Sequence, residues 1–363
     1  MDYLEQKRER GFGSDKYWFF RKYYNVDSLR KNMQQPTKYL IFVGVAIIVI
    51  FFILVAINEE TFENPIIVLD YVDSSPVAGV ADGKAEILED GWSIPIKLPV
   101  SDEGREDSTH ITRDGRYLLF YYDPTVGGFQ EGEDFEGKKE ETMIYYSKRP
   151  FVTKQVHPIS TDEDINAEAG PYISEAGDIY YTKTFIVLKP TPHEATPKKT
   201  VINDGKTILD MGTGQAEGNP HYCDSMGELY ANIVYESGDQ DIAVFKNGKT
   251  TFLSEPINLP EEQDFQPFLT DDCQTMYFTS TRGSTNNMFP LQVYKSQRLG
   301  EFEWKEPELF ISFPEIEGKF GGVGEFTMTQ DQKQMVYVEL IITKEGEEFV
   351  GQNEIYYSEK ISG

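Results

Sequence analysis

Five copies of one short unit, a single apolar run of membrane length and an aromatic content of 13% predict an all-β protein: a β-propeller of five blades, or in the alternative six, with one N-terminal transmembrane helix. Each unit is a small extended segment, a turn built on Asp or Gly, and an apolar, aromatic strand. The copies read THITRDGRYLLFYY (Thr109–Tyr122), PYISEAGDIYYTK (Pro171–Lys183), PHYCDSMGELYANIVY (Pro220–Tyr235), PFLTDDCQTMYFTST (Pro267–Thr281) and FTMTQDQKQMVYVEL (Phe326–Leu340). No unit of this size buries its apolar face alone, so the copies must stack against one another.

Residues 1–38 hold nine Lys/Arg against five Asp/Glu, and they include the aromatic stretch KYWFFRKYY (Lys16–Tyr24). Such a segment suits the inner leaflet, with rings at the headgroups and cations on anionic lipid. Tyr39–Ile57 follows as 19 residues without a charge. As a helix it measures about 28 Å, enough to cross a bilayer. Too many residues precede it for a cleaved signal peptide, so it reads as a permanent anchor. The Lys/Arg excess before it places the N-terminus in the cytoplasm and residues 58–363 outside. Residues 58–84 are expected to form a stalk with a short strand at Ile66–Tyr71, and 85–363 the propeller.

The whole chain carries a net charge of −27, and because residues 1–38 contribute +4 the outer part carries −31. It excludes a nucleic-acid partner, because counterion release needs clustered Lys/Arg. Acidity of this kind keeps an exposed surface soluble and attracts basic groups. Cys223 and Cys273 both fall outside the membrane, where conditions permit a disulfide. They sit in the turns of consecutive units, so a bridge would staple neighbouring blades.

Strands are expected at Tyr117–Tyr122, Met143–Ser147 and Val152–Ile159 in the first blade, with the acidic loop Gly127–Glu141 among them. Tight hairpins follow at Asp204-Gly205 and Asn247-Gly248, dipeptides that accept positive φ. Met276–Thr281, Leu291–Gln297 and Glu308–Ser312 build the fourth blade, and Met335–Ile342 with Glu354–Ser358 the fifth. Equivalent turn positions Gly115, Gly177, Gly227, Cys273 and Gln332 recur every 46 to 62 residues, one blade apart. The last unit runs out before its fourth strand. GWSIPIKLPV (Gly91–Val100) shares a W-x-x-P-x-x-L/F register with EWKEPELFIS (Glu303–Ser312). Trp92, Pro95 and Leu98 are therefore expected to complete the final blade and remove its open edge.

These repeats resemble the WD-like propeller units of the TolB type. The resemblance rests on Ile111-Thr112-Arg113-Asp114-Gly115, Ile173-Ser174-Glu175-Ala176-Gly177 and Leu269-Thr270-Asp271-Asp272, with the Tyr-rich strands MIYYSKR, LQVYKSQR and EIYYSEK. It covers residues 85–360. It implies the fold and leaves the activity open, since the family includes binding modules, assembly factors and propellers attached to enzymes. The third and fifth copies depart from it.

Asp114, Gly115, Gly177, Gly227 and Asp272 are assigned to turns, where Asp bonds nearby amides and Gly supplies positive φ. No Gly-x-Ser-x-Gly or His-Glu-x-x-His motif occurs, and Asn247-Gly248-Lys249-Thr250 lacks the first glycine of a phosphate loop. No catalytic residue, metal ligand set or cofactor site is assigned. Calcium is the one ion with candidate loops, Glu131–Glu136 and Asp239–Asp241, although neither has EF-hand spacing. His110 and His221 occupy equivalent slots where other units carry Tyr172 and Phe268, and are candidate ligands for something near the axis. Asp114, Glu175, Asp224, Asp271 and Asp331 recur at the turns; a glycan-acting propeller would instead hold two carboxylates about 5–10 Å apart in its funnel. The sequence thus points to a non-catalytic scaffold for a protein or cell-envelope partner. A glycan hydrolase and a sensor ectodomain are the alternatives.

Overall fold

The computed structural model describes residues 75–101, 104–123, 143–157, 159, 168–183, 186–187, 194–195, 199–202, 207–283, 291–317, 319–345 and 348–361. The apolar run Tyr39–Ile57, the segment Lys16–Tyr24, the strand expected at Ile66–Tyr71, the turn Asp204-Gly205 and the loop Gly127–Glu141 lie outside these residues. No helix among the described residues is long and apolar enough to cross a membrane.

Two short strands, β1 (Glu86–Ile87) and β2 (Ile96–Lys97), lead into the repeats. Blade 1 is β3 (Arg105–Ile111), β4 (Tyr117–Asp123), β5 (Met143–Lys148) and β6 (Gln155–Val156). Blade 2 begins with β7 (Glu168–Ile173) and β8 (Ile179–Lys183). After a small ribbon, β9 (Ile186–Val187) with β10 (Glu194–Ala195), it ends in β11 (Lys199–Ile202) and β12 (Thr207–Leu209). Blade 3 is β13 (Ala216–Cys223), β14 (Glu228–Val234), β15 (Gln240–Lys246) and β16 (Lys249–Phe252). Blade 4 comprises β17 (Asp264–Leu269), β18 (Thr275–Ser280), β19 (Gln292–Gly300), β20 (Glu303–Trp304) and β21 (Glu308–Ser312). Blade 5 comprises β22 (Lys319–Met328), β23 (Gln334–Glu345) and β24 (Glu348–Glu359).

Pairing within each blade is antiparallel and follows chain order outward. The first strands β3, β7, β13, β17 and β22 touch one another in a closed cycle, so they surround the axis of a five-bladed propeller. The strand expected over Val152–Ile159 shrinks to Gln155–Val156, both exposed, because an outermost strand has a partner on one side only. Asn247 and Gly248 have φ of 52° and 76°, as a primed hairpin turn requires.

The segment before the first blade is stitched into the last two. β2 pairs with β24 through Ile96↔Tyr357 and Lys97↔Tyr356, and Trp92 bridges to Lys360. Ser93 N donates to Glu359 O at 2.8 Å and Leu98 N to Ile355 O at 2.9 Å. Leu98 is fully buried among Ile111, Leu118 and Phe120 of blade 1 and Val336, Val338 and Ile355 of blade 5. The ammonium of Lys360 lies 5.2 Å from the Trp92 ring, as the guanidinium of Arg298 lies 4.8 Å from that of Trp304. Both tryptophans of the shared W-x-x-P-x-x-L/F register therefore meet a cation from the adjoining strand.

Sequence reading did not anticipate a second stitch. β1 pairs with β21 through Glu86↔Ser312 and Ile87↔Ile311, giving blade 4 an extra outer strand. Residues read as stalk also touch the ring. Val80 bridges to Lys97, Arg149 Nε donates to Ser75 O at 2.8 Å, and the buried Glu339 carboxylate accepts Lys84 N and Ala85 N at 2.9 Å each.

Candidate functional site

Each first strand carries a β-bulge at the same place, between Asp107/His110, Ala169/Tyr172, Gly218/His221, Phe265/Phe268 and Gly324/Thr327. The residue inside each bulge has positive φ: Ser108 at 53°, Gly170 at 60°, Asn219 at 45°, Gln266 at 55° and Glu325 at 52°. Only one of the five is glycine, and four side chains therefore hold a strained backbone conformation. Gly170 is forced, since a Cβ there would come within 3.0 Å of the Asn219 Cα. A bulge re-aims side chains, and here the four side chains line the axial cavity together with Gly170.

At this mouth Glu325 is the hub. Its carboxyl accepts from Asn219 Nδ2 at 2.8 Å and from Gln266 Nε2, while its own backbone N–H donates to Gln266 Oε1 at 3.1 Å. Burial, then the charge of Asp107 and a hydrogen bond to it, push the Glu325 carboxyl well above the ordinary range. A like charge beside a buried carboxyl favours its protonated form. Asp107 also accepts from Ser108 N at 2.9 Å, and Arg105 lies 3.5 Å from it.

Below the mouth runs an aromatic collar. His110 lies 5.0 Å from Tyr172, Tyr172 4.1 Å from His221, His221 5.0 Å from Phe268, and Phe268 5.8 Å from Phe326, all between ring centres. The two candidate histidines are thus brought to one channel, separated by Tyr172. His221 Nε2 accepts from Leu269 N at 3.3 Å. Both nitrogens of His110 are buried without a hydrogen-bond partner. Burial lowers the His110 pKa to about 3 and that of His221 well below its usual value, so both are neutral imidazoles. No group of three or more His, Cys, Asp or Glu among the described residues is arranged to hold a metal.

The opposite mouth is closed by an ion pair across the ring. Arg113 of blade 1 meets Asp271 of blade 4 at 2.6 Å and Glu175 of blade 2 at 3.6 Å. Glu175 N donates to Asp224 Oδ2 at 2.8 Å, and Gln330 N donates to Arg113 O at 2.9 Å. Burial raises the Asp271 carboxyl despite Arg113, with Glu175, Asp224 and Asp272 adding to the rise.

The turn acids singled out in the sequence stand apart from Glu325 and have structural partners. Asp114 accepts from Thr112 Oγ1 at 2.7 Å and Arg116 N at 3.0 Å; Asp272 and Asp331 repeat this with Thr270 and Gln274, and with Thr329 and Lys333. Gly115, Gly177 and Gly227 have φ of 71°, 87° and 62° in those turns. Cys223 and Cys273 are joined in a disulfide between blades 3 and 4, their Cα atoms 6.0 Å apart. Asp239 and Asp241 accept hydroxyls of Ser237 and Tyr235 at 2.7 and 2.9 Å; Glu131–Glu136 is outside the described residues.

Sequence reading missed Asp107, Asn219, Gln266 and Glu325, and with them a ring of buried acids. Glu106, Glu168, Glu217 and Asp264 start the first strands of four blades and meet Lys154, Lys183, Lys199 and Arg282 at 3.1, 3.6, 3.1 and 2.6 Å. An acid four residues before the aromatic slot was the available signal. Blade 5 has Val323 there.

The axial cavity measures about 30 Å³, room for a couple of waters and far below a typical ligand pocket of about 300–1,000 Å³. A larger cavity of about 270 Å³ lies at the closure seam beside Trp92, Tyr277 and Lys305. Its Lys295 and Lys360 are both paired with Glu89, at 2.9 and 3.6 Å.

No family model matches the chain, and no curated protein matches it. Similar solved structures include TolB from Acinetobacter baumannii, at 13% identity and a TM-score of 0.37 over 71% of this chain and 55% of that one. A putative TolB from Agrobacterium tumefaciens has 13% identity and a TM-score of 0.37 over 72% and 91%. A structure titled glycoside hydrolase has 13% identity and a TM-score of 0.44 over 71% and 61%. The chain spans about half the length of the first two solved structures it matches. Similarities this distant do not separate a binding propeller from a hydrolytic one. The fold rests on the strand pairing described above.

Proposed function

We propose that this chain is a membrane-anchored, non-catalytic propeller that binds a protein or cell-envelope partner, with its N-terminus cytoplasmic and the propeller outside. One observation carries the reading: the axial cavity that Glu325 lines measures only about 30 Å³. Glycoside hydrolysis needs its two carboxyls about 5–10 Å apart with the sugar between them. Here the cavity beside Glu325 is too small for a sugar ring. The anchor is supported by Tyr39–Ile57, and the outward orientation by the Lys/Arg excess before it and by the Cys223–Cys273 bridge.

The test is affinity capture from envelope extract with the full-length chain in mild detergent, run beside a panel of aryl glycosides and polysaccharides. A reproducible partner without sugar release is the expected result. Turnover that disappears in Asp107→Asn would replace the scaffold with a hydrolase.

A further inference from the structure

We propose that the axial mouth is a socket for one primary ammonium group, borne by a lysine side chain or by a chain N-terminus. The proposal rests on the scaffold reading and names the chemistry its partner would present.

Three independent features point to a small cation. The first is a scarcity of donors. In three of the five blades the bulge residue is followed by proline, Pro171, Pro220 and Pro267, each lining the cavity without a backbone N–H. An anion would find few donors there. The second is His110, 3% exposed, which lines the same cavity with both ring nitrogens unpartnered. A neutral imidazole offers one lone pair, and an ammonium has three donors and no acceptor. The third is the collar of Tyr172, His221, Phe268 and Phe326, whose ring faces favour a desolvated cation.

Size and charge narrow the class. A volume of about 30 Å³ admits an –NH₃⁺ head and excludes a guanidinium or quaternary ammonium. The chain's net charge of −27 raises the local concentration of cationic partners. Glu325 faces the cavity, and its two amide donors, Asn219 Nδ2 and Gln266 Nε2, hold its anion once the proton leaves. The other titratable or charged groups around it are Asp107 with Arg105, His110, Tyr172 and His221. Arg105 lies beside Asp107, and the charge acquired by Glu325 balances the incoming ammonium. Binding therefore exchanges one cation for one proton, which passes to solvent.

Methylammonium chloride is the probe, titrated calorimetrically onto the full-length chain in amine-free buffers of different ionisation enthalpy. The expected result is a Kd on the order of millimolar, with one proton released per cation. Affinity should rise about tenfold per pH unit below the Glu325 pKa. Tetramethylammonium and guanidinium should not bind. Glu325→Gln should weaken binding more than tenfold and His110→Phe about threefold to tenfold, with near-ultraviolet circular dichroism unchanged. Proton release by the unmutated chain decides the matter if a variant fails to fold. Nα-acetyl-lysine amide and glycinamide separate the two sources, the tighter binder identifying which. Equal binding of methylammonium and tetramethylammonium, or binding without proton release, overturns the socket. In that case a partner still captured equally by Glu325→Gln leaves the scaffold reading standing, whereas no captured partner removes it.

Discussion

Leu98→Ala isolates the closure of the ring. Leu98 is fully buried where the closing segment meets blades 1 and 5, so its removal acts on a joint no single blade owns. The substitution deletes three carbons, worth about 2.4 kcal/mol of transfer free energy at about 0.8 kcal/mol each. The cavity left behind adds to this, because walls from two blades cannot collapse together; about 3 kcal/mol is expected. For a domain of this size that lowers the Tm by roughly 6–12 °C. Ile94→Ala, four residues earlier in the same segment, is the control: Ile94 is 77% exposed and should cost less than about 0.5 kcal/mol. Thermal and guanidinium unfolding of both variants provide the assay. Equal, small effects at the two positions would refute closure by this segment.

Other outcomes follow from the same geometry. Replacing Cys223 and Cys273 together by Ala should cost about 4 kcal/mol by loop entropy for a separation of 50 residues, and reductant should cause the same loss in the unmutated chain. Arg113→Ala leaves Asp271 facing Glu175 and Asp224 without a cation; a loss of about 1–2 kcal/mol is expected, and salt should shrink it. The Glu325 carboxyl is raised in the folded state, so folded protein holds a proton that the unfolded chain has lost. Its contribution to stability is full below the ordinary carboxylate pKa and disappears as pH rises through the folded value. Glu325→Gln should flatten that decline, measured as denaturation midpoint against pH, and an unchanged slope would contradict the assignment.

The blade framework was readable because turn chemistry is local. Thr112-x-Asp114, Thr270-x-Asp272 and Thr329-x-Asp331 form the same hydrogen bonds in three blades, and such bonds depend only on neighbours in sequence. The closing strand was readable because Trp92 and Trp304 share a register. The stitch of β1 onto β21 was hidden, since Glu86–Ile87 is too short to show a period. The axial site was hidden for another reason. Its residues precede the repeat as aligned from Thr109, Pro171, Pro220, Pro267 and Phe326, and their identity varies from blade to blade. Asp107 and Glu325 belong to strands distant in sequence that meet only when the ring closes. Turn acids drew attention in their place, being regular in spacing, and regularity there reflects backbone capping.

The burial of Glu325 at the filled axis is best probed by carbon-13 NMR of carboxyl-labelled protein, with Glu325→Gln identifying the resonance. A Glu325 carboxyl that stays protonated well above the usual range is the predicted result. A Glu325 carboxyl titrating near its ordinary value would mean an open funnel, and the filled axis would have to be abandoned.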